Sequence, residues 1–263
     1  MSSNTTVLVQ QKLIASLTGS AKVAIKHFAD AIPELPEQAY SDAILGMGYQ
    51  YESFDMLFTL IAYHIQATHN ISDYDARSRC MQNLLQPLCS EYGIEPERPL
   101  GSTHRSLYRD FYESVTGQLW PSTYPRNSAS SWINTGRYWA NRMIENLECH
   151  GMDIMDRAKY NLGYHWAAEY LSIIEFGYLR QGWSKMGITP PYLQIHCNVE
   201  PEHSACAAHA IVEFTSLNDP LVIRGIRDHE YDLCGFYNEN FELIQTEKNL
   251  SSTDHCYALL KAS

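Results

Sequence analysis

The stretch His196-Cys197-Asn198-Val199-Glu200-Pro201-Glu202-His203 lies inside a helical period that opens at Pro190-Pro191 and reaches Leu217. In an α-helix, positions i, i+4 and i+7 fall within about 60° of one another, so His196, Glu200 and His203 share one face over two turns. Two imidazoles and one carboxylate in this arrangement suit a divalent transition metal such as iron, manganese or zinc. A solvated polar helix face has the same spacing, so the triad alone leaves both interpretations open.

Helical periods continue outward from this stretch in both directions. Apolar residues recur every three or four positions, and prolines, glycines and polar caps separate the segments. Strand patterns are scarce, with only short pieces near Val222, and no internal repeat or linker is evident. The sequence therefore predicts an all-α chain: one domain over residues 1–263, a bundle of seven or eight helices. The predicted helices cover Thr6–Ala31, Glu37–His69, Asp75–Tyr92, Ser102 or Thr103 to Val115, Ser130–Cys149, Asp153–Trp183, Pro190–Leu217 and Pro220 to about Lys248.

Composition excludes several classes of protein. The 263 residues carry 19 Lys and Arg against 30 Asp and Glu, a net charge of −11, which is a poor match for nucleic acid or an anionic membrane surface. No apolar run approaches the ~18–20 residues that span a bilayer, and the N-terminus does not resemble a signal peptide. Seven scattered cysteines without a C-x-x-C pair indicate reduced thiols. We therefore expect a cytoplasmic protein with no nucleic-acid or membrane partner.

Two further segments offer metal ligands, because bundles that bind two metals draw carboxylates and imidazoles from several helices. Glu169 lies among small and aromatic residues, where a carboxylate is costly unless it is paired or ligating. His165, one turn earlier, is placed to orient Glu169, although a surface i, i+4 pair fits equally well. His104 opens a predicted helix, with Glu97 or Glu91 upstream, and solvated loop acids explain that pattern equally well. Glu145 and Glu175 are expected to face solvent.

The three parts together resemble one family, the heme-oxygenase-like diiron oxidases and oxygenases, which includes the chlamydial proteins associating with death domains and their cyanobacterial relatives. An early Glu and His, a lone Glu on a later helix and a final H-x-x-x-[DE]-x-x-H helix carry the resemblance, and His104–Phe111 looks like the apolar pattern after the family's first His. It covers residues 40–245, with the site in segments 93–116, 153–183 and 191–217. The resemblance implies a heme-oxygenase-like fold and two Fe(II) ions held by Glu97, His104, Glu169, His196, Glu200 and His203.

The same resemblance implies an activity. Family members are oxidoreductases that use dioxygen to cleave C–C bonds, desaturate, or oxygenate nitrogen in small molecules of specialised metabolism, such as natural product biosynthesis. We therefore expect a substrate that is an amino acid or a similar small carboxylate-bearing molecule, and a homodimer as the default assembly. Arginines are candidate carboxylate anchors, although each is equally typical of a solvated surface: Arg105, Arg137, Arg142 and Arg180.

Three features depart from the family pattern. Glu200 stands where the family usually has Asp, and Pro201 follows it inside the triad, where we expect a bend. Glu97 keeps the family's seven-residue spacing to His104 but lies between prolines. Glu91 stands at a helix end, thirteen residues before His104, so spacing favours Glu97.

Two other functions fit the same fold. A metal-independent, thiaminase-II-like hydrolase would need a cysteine nucleophile, for which Cys197 and Cys206 are the nearest thiols. A non-catalytic binding protein would show an exposed apolar patch and no turnover. Tyr51, Tyr164, Tyr170 and Tyr192 are expected either to pack in the core or to line a pocket.

Overall fold

The structure, a computed structural model, describes residues 3–94, 100–125 and 128–261. Over these ranges it contains α-helices and no strand, which confirms the predicted all-α class; there are nine helices rather than seven or eight. The helices are α1 Ser3–Ile14, α2 Ser20–Ala31, α3 Tyr40–Ala67, α4 Tyr74–Glu91, α5 His104–Thr116, α6 Ser131–Glu148, α7 Ile154–Ser184, α8 Pro191–Phe214 and α9 Pro220–Lys261.

The additional helix arises because the first predicted helix is in fact two. The chain breaks between α1 and α2 at Gly19, whose φ of 85° is left-handed and favours glycine. Glu230 of α9 accepts hydrogen bonds from the backbone N–H groups of Thr18 and Gly19, at 2.7 and 2.6 Å. A carboxylate more than two hundred residues away thus stabilises the break, and apolar periodicity in the first segment does not reveal it. Near Val222, where strand-like pieces occur, the chain is part of α9.

Side-chain caps start α4, α5 and α7, three of the four helices that carry the candidate site. Asp73 accepts from the N–H of Ala76 at the start of α4, and Asp153 accepts from that of Asp156 at the start of α7. Of the two residues predicted to begin α5, Ser102 and Thr103, the N-cap is Thr103. Its hydroxyl accepts a hydrogen bond from the backbone N–H of Ser106 at 3.0 Å. This cap makes His104 the first residue of α5 and turns its side chain inward, where it is buried.

Helix α7 is the central element of the bundle. It packs against α2, α3, α8 and α9 and buries residues on most sides, so it shows no single apolar face. Glycines permit the close crossings: a Cβ on Gly163 would lie 2.0 Å from the Val222 carbonyl oxygen, and one on Gly225 2.1 Å from that of Tyr160. Gly136 of α6 approaches Gly46 of α3 in the same way. Glu169, in the middle of α7, is therefore at the centre of the molecule.

Candidate metal centre

Four helices bring the candidate ligands together. Helix α4 supplies Glu91 from its last residue and α5 supplies His104 from its first, while α7 supplies Glu169. Helix α8 supplies His196, Glu200 and His203, all at most 4% exposed, so this face is not solvated. The helix continues through Pro201 from Pro191 to Phe214. Glu97, which spacing favoured, lies outside the described residues.

A closed loop brings Glu91 to His104 despite their separation of thirteen residues. Gly101 donates its backbone N–H to the Gly93 carbonyl at 2.9 Å, so these two glycines lie side by side. Gly93 has a φ of +64°, and a Cβ there would lie 2.8 Å from the Gly101 carbonyl carbon. Helix α5 then begins three residues later. The sequence gap therefore becomes direct contact, with His104 Nδ1 2.7 Å from Glu91 Oε2.

The first ligand group consists of Glu91, His104 and His196, whose ligand atoms all lie within 4.8 Å of one another. Although His104 Nδ1 is close to the Glu91 carboxylate, it has no hydrogen-bond partner, so the two atoms converge without bonding to each other. His196 Nδ1 lies 2.8 Å from the carbonyl oxygen of Tyr192, which can only accept. This contact places the proton on Nδ1 and leaves the Nε2 lone pair of His196 available for a metal.

The second ligand group consists of Glu91, Glu200 and His203, again within 4.8 Å of one another. Three carboxylate oxygens surround His203 Nδ1, those of Glu169 at 3.6 Å, Glu200 at 3.7 Å and Glu91 at 4.0 Å. None of them forms a hydrogen bond to this nitrogen, and Oε2 of Glu200 is buried without a partner as well. Glu91 belongs to both groups, so it is the residue that would help to hold an ion in either one.

The pKa values of the buried side chains show how the site balances its charge. Burial, with the nearby carboxylates Glu169 and Glu91, raises the pKa of Glu200 well above its usual value. Burial lowers the pKa of His203, but the carboxylates of Glu169 and Glu200 have a larger effect in the opposite direction and raise it to about 10. Burial and the neighbouring His104 lower the pKa of His196, which stays neutral. When no other cation is bound, protons on Glu200 and His203 therefore reduce the negative charge of the buried carboxylates.

A divalent metal ion fits this arrangement. Buried polar atoms normally have hydrogen-bond partners, and three of these do not: His104 Nδ1, His203 Nδ1 and Glu200 Oε2. Bonds of about 2.0–2.2 Å place two ligand atoms of one ion at most about 4.4 Å apart, close to the separations in both groups. Carboxylates and imidazoles drawn from facing helices suit iron, manganese or zinc. The donor set therefore fits two metal ions that share Glu91.

Two cavities meet at this centre. The inner cavity, about 40 Å³, is bounded by the candidate ligands Glu91, Glu169, His196 and Glu200 together with largely aromatic side chains: Tyr51, Phe54, Phe58, Phe176 and Tyr192. The outer cavity, about 280 Å³, is lined by His104 and also by Arg105, Arg109 and Glu52. Tyr51, Glu91 and Tyr192 line both cavities, so a small molecule in the outer one would lie next to the ligands.

The four candidate arginines differ in their contacts. Arg105 lines the outer cavity, where it also pairs with Asp55 at 2.8 Å. Arg142 pairs with the buried Asp232 at 2.7 Å, and Arg180 bonds Gln194 at the surface. Arg137 bonds Asn134. Arg105 is therefore the one whose position suits a substrate, and Arg109 joins it there.

Glu175 was wrongly expected to face solvent. Its side chain is buried against the inner cavity, where it accepts a hydrogen bond from the Tyr237 hydroxyl. Because α7 is buried nearly all round, helical periodicity gives no exposed face by which to place it. His165 is also buried, with Nε2 3.7 Å from Glu169 Oε1 and no hydrogen bond between them. Glu145 is exposed, as expected.

The thiols near the site do not have the character of nucleophiles. Burial raises the pKa of Cys206 to about 11 and also raises the pKa of Cys197. The reactive form of cysteine is the thiolate, which such pKa values disfavour at neutral pH.

Comparison with known proteins identifies the fold. No model of a known family matches this sequence, and no curated protein sequence matches it. The chain is similar in structure to a CADD-like protein of unknown function from Nostoc punctiforme, with a TM-score of 0.59 and 14% sequence identity. The similarity covers 83% of this chain and 87% of the other. The two proteins share a fold, an all-α bundle.

Proposed function

We propose that this chain is a non-heme diiron oxidoreductase that uses dioxygen to oxidise a small, carboxylate-bearing molecule such as an amino acid. One observation carries the proposal: three carboxylates and three imidazoles from four helices converge in the protein interior, with ligand atoms that lack hydrogen-bond partners. The shared fold adds support, since CADD belongs to the heme-oxygenase-like diiron family.

Each side chain has a definite task in this proposal. Two ferrous ions, when bound, would supply the electrons that activate dioxygen. Glu91 would hold both ions, while His196 is already neutral and oriented by the Tyr192 carbonyl. Phe176 stacks on His196 with ring centroids 4.1 Å apart and helps to exclude water from the ligand side. Carboxylates favour the oxidised metal, so the donor set suits redox chemistry.

The outer cavity is the proposed substrate site. Its volume of about 280 Å³ suits a small metabolite, and it borders the ligands Glu91 and His104. Arg105 and Arg109 would attract a substrate carboxylate to the outer wall and leave the remainder of the molecule near the centre. This placement would bring an oxidisable C–H, C–C or N–H group next to the metal ions.

The test is iron stoichiometry combined with dioxygen consumption. Anaerobic loading should give two irons per chain, and mixing with dioxygen should produce a visible absorbance change as oxygen is consumed. His196→Ala and His203→Ala should each lose at least one iron while keeping the helical circular-dichroism spectrum. His209→Ala is the matched control, since His209 lies on the same helix but bonds Thr6 at 3.1 Å, away from the site.

Other outcomes would favour a different function. If the wild-type chain takes up no iron, or both variants keep full metal content, the diiron proposal fails. Activity that survives chelators but is lost on alkylation of cysteine would favour the thiaminase-II-like hydrolase. A chain that binds no metal and shows no turnover would favour a non-catalytic binding protein.

A further inference from the structure

Two buried side chains, Glu175 and Tyr237, and the half-buried Tyr51 form a hydrogen-bonded chain beside the inner cavity. Tyr237 of α9 donates its hydroxyl hydrogen to Glu175 Oε1, and the hydroxyl of Tyr51 on α3 lies 3.3 Å from that of Tyr237. Glu175 is 2% exposed and Tyr237 is fully buried. Tyr51 lines both cavities, so the chain runs from a residue of the outer cavity to a carboxyl group on the wall of the inner one.

In the part of the chain that the structure describes, no neighbouring cation explains why a carboxyl group lies at position 175. The described residues that line the inner cavity include no lysine or arginine, so Glu175 has no cation to balance its charge. The neighbours that interact with it include Tyr51 on α3, Tyr237 on α9 and Tyr192 on α8. The cavity also contains the ligands Glu91 of α4, Glu169 of α7, and His196 and Glu200 of α8. An acid in such surroundings is costly as an anion and favoured as a proton carrier.

We propose that Glu175 is the proton donor of the inner cavity and that Tyr237 and Tyr51 resupply its proton from the outer cavity. This inference rests on the proposed function, because reduction of dioxygen consumes one proton for each electron delivered. The aromatic wall keeps bulk water out, so a group of the protein must carry the protons.

Each proton that Glu175 releases is replaced along the chain of hydroxyl groups. The Oε–H bond of Glu175 breaks and its proton moves to a basic oxygen atom in the inner cavity. The Tyr237 hydroxyl proton moves to Oε1 of Glu175, and the Tyr51 hydroxyl proton replaces it on Tyr237. Tyr51 takes one proton from water in the outer cavity, so each side chain returns to its neutral form without changing oxidation state.

The equilibrium position of the proton is consistent with this role. Burial raises the pKa of Glu175 to about 7, although the hydrogen bond from Tyr237 and the nearby Tyr51 hydroxyl favour its anion. A general acid with a pKa near the working pH is both protonated and ready to release its proton.

The first test uses the metal-free protein and does not depend on activity. Infrared difference spectroscopy against pH should show one protonated-carboxyl band that disappears with a midpoint near pH 7 and is absent from Glu175→Gln. In Tyr237→Phe the midpoint should move up, because the anion loses a hydrogen bond. A Glu175 band that is already absent at pH 5 would overturn the proposal.

The second test uses the iron-loaded protein. Glu175→Gln should keep two irons per chain but consume dioxygen at least about tenfold more slowly, since positioned acids contribute 10²–10⁴-fold. The wild-type rate should fall as pH rises through 7 and show a solvent deuterium isotope effect, and the variant should lose that pH dependence. Tyr237→Phe should slow the reaction less, and Glu145→Gln, at an exposed position of α6, should match the wild type.

The outcomes separate the two proposals. A wild-type chain that binds no iron would end both. If iron binds normally and Glu175→Gln and Tyr237→Phe keep the wild-type rate and pH profile, only the proton-donor role is wrong. Should Glu175→Gln fail to fold, Tyr237→Phe keeps the carboxyl group and decides the question with the same two measurements.

Discussion

Glu91 is the residue on which both ligand groups depend, and it gives the sharpest prediction at the residue scale. Because Glu91 lies next to His104 and His203, Glu91→Gln should weaken iron binding by at least about tenfold and lower the stoichiometry below two. Iron titration under nitrogen measures both quantities. Glu97→Gln is the matched comparison and should bind like the wild type; the reverse result would transfer the ligand role to Glu97.

Metal binding should release protons. Metal-free His203 is protonated below its pKa of about 10, and the pKa of Glu200 is also raised, but both groups must lose their protons to bind a metal. The apparent iron affinity should therefore rise with pH between about 6.5 and 8.5, about tenfold per unit for each proton displaced. Anaerobic calorimetry in two buffers with different ionisation enthalpies counts these protons. Binding without proton release would contradict the assigned charges.

Glu175 should make the metal-free fold less stable as pH rises. Its pKa is about 7 in the folded state and near 4.5 when unfolded, so the folded state holds the extra proton and stability declines across this window. The difference in unfolding free energy between Glu175→Gln and the wild type should grow by up to about 3 kcal/mol from pH 4.5 to above 7. Denaturant titrations with chelator present measure it, and parallel curves would show that Glu175 is not buried as an acid.

Some site residues follow from sequence and others do not. His196, Glu200 and His203 share a helix, so the helical repeat alone places them on one face. Glu91 depends on loop closure between Gly93 and Gly101, a contact that linear spacing does not contain. Glu175 depends on three neighbouring helices, because only their packing determines that a polar residue of α7 is buried.

At the scale of elements, glycines determine how closely the helices cross. A Cβ on Gly136 would lie 1.8 Å from the Gly46 carbonyl oxygen, where backbone cannot yield easily. Gly136→Ala should therefore lower the free energy of unfolding by at least about 2 kcal/mol. Gly177→Ala is the matched control in a helix with open space around it, and it should raise stability by about 0.5–1 kcal/mol. Urea unfolding of both variants tests this, and equal effects would exclude a close crossing.

The predicted helices agree with the observed ones wherever local signals mark the ends. Asp73, Thr103 and Asp153 are caps that can be recognised in sequence. The break at Gly19 is different, since the carboxylate that stabilises it belongs to α9. Local patterns thus predict helices well, while breaks stabilised by distant residues require the folded structure.

At the scale of the whole molecule, the proposed centre should couple metal binding to stability. None of the described helices is long and apolar enough to cross a membrane, and the core instead encloses a site where carboxylates from α4, α7 and α8 meet. Iron at about one hundred times its dissociation constant should stabilise the fold by about 2.7 kcal/mol. The melting temperature should then rise by roughly 5 °C or more, and a chelator should reverse the change. His196→Ala should show no such shift, and an equal shift in that variant would indicate binding elsewhere.

The contact between Gly93 and Gly101 separates the length of the intervening segment from the position of the residues on either side. Since Gly93 and Gly101 lie side by side, a change in the number of residues between them would alter the interval from Glu91 to His104 without displacing either residue. Homologues could then carry the same centre with very different numbers of residues between these ligands. Alignments that anchor on α4 and α5 separately, with a variable gap between them, are the ones that would recognise this kinship.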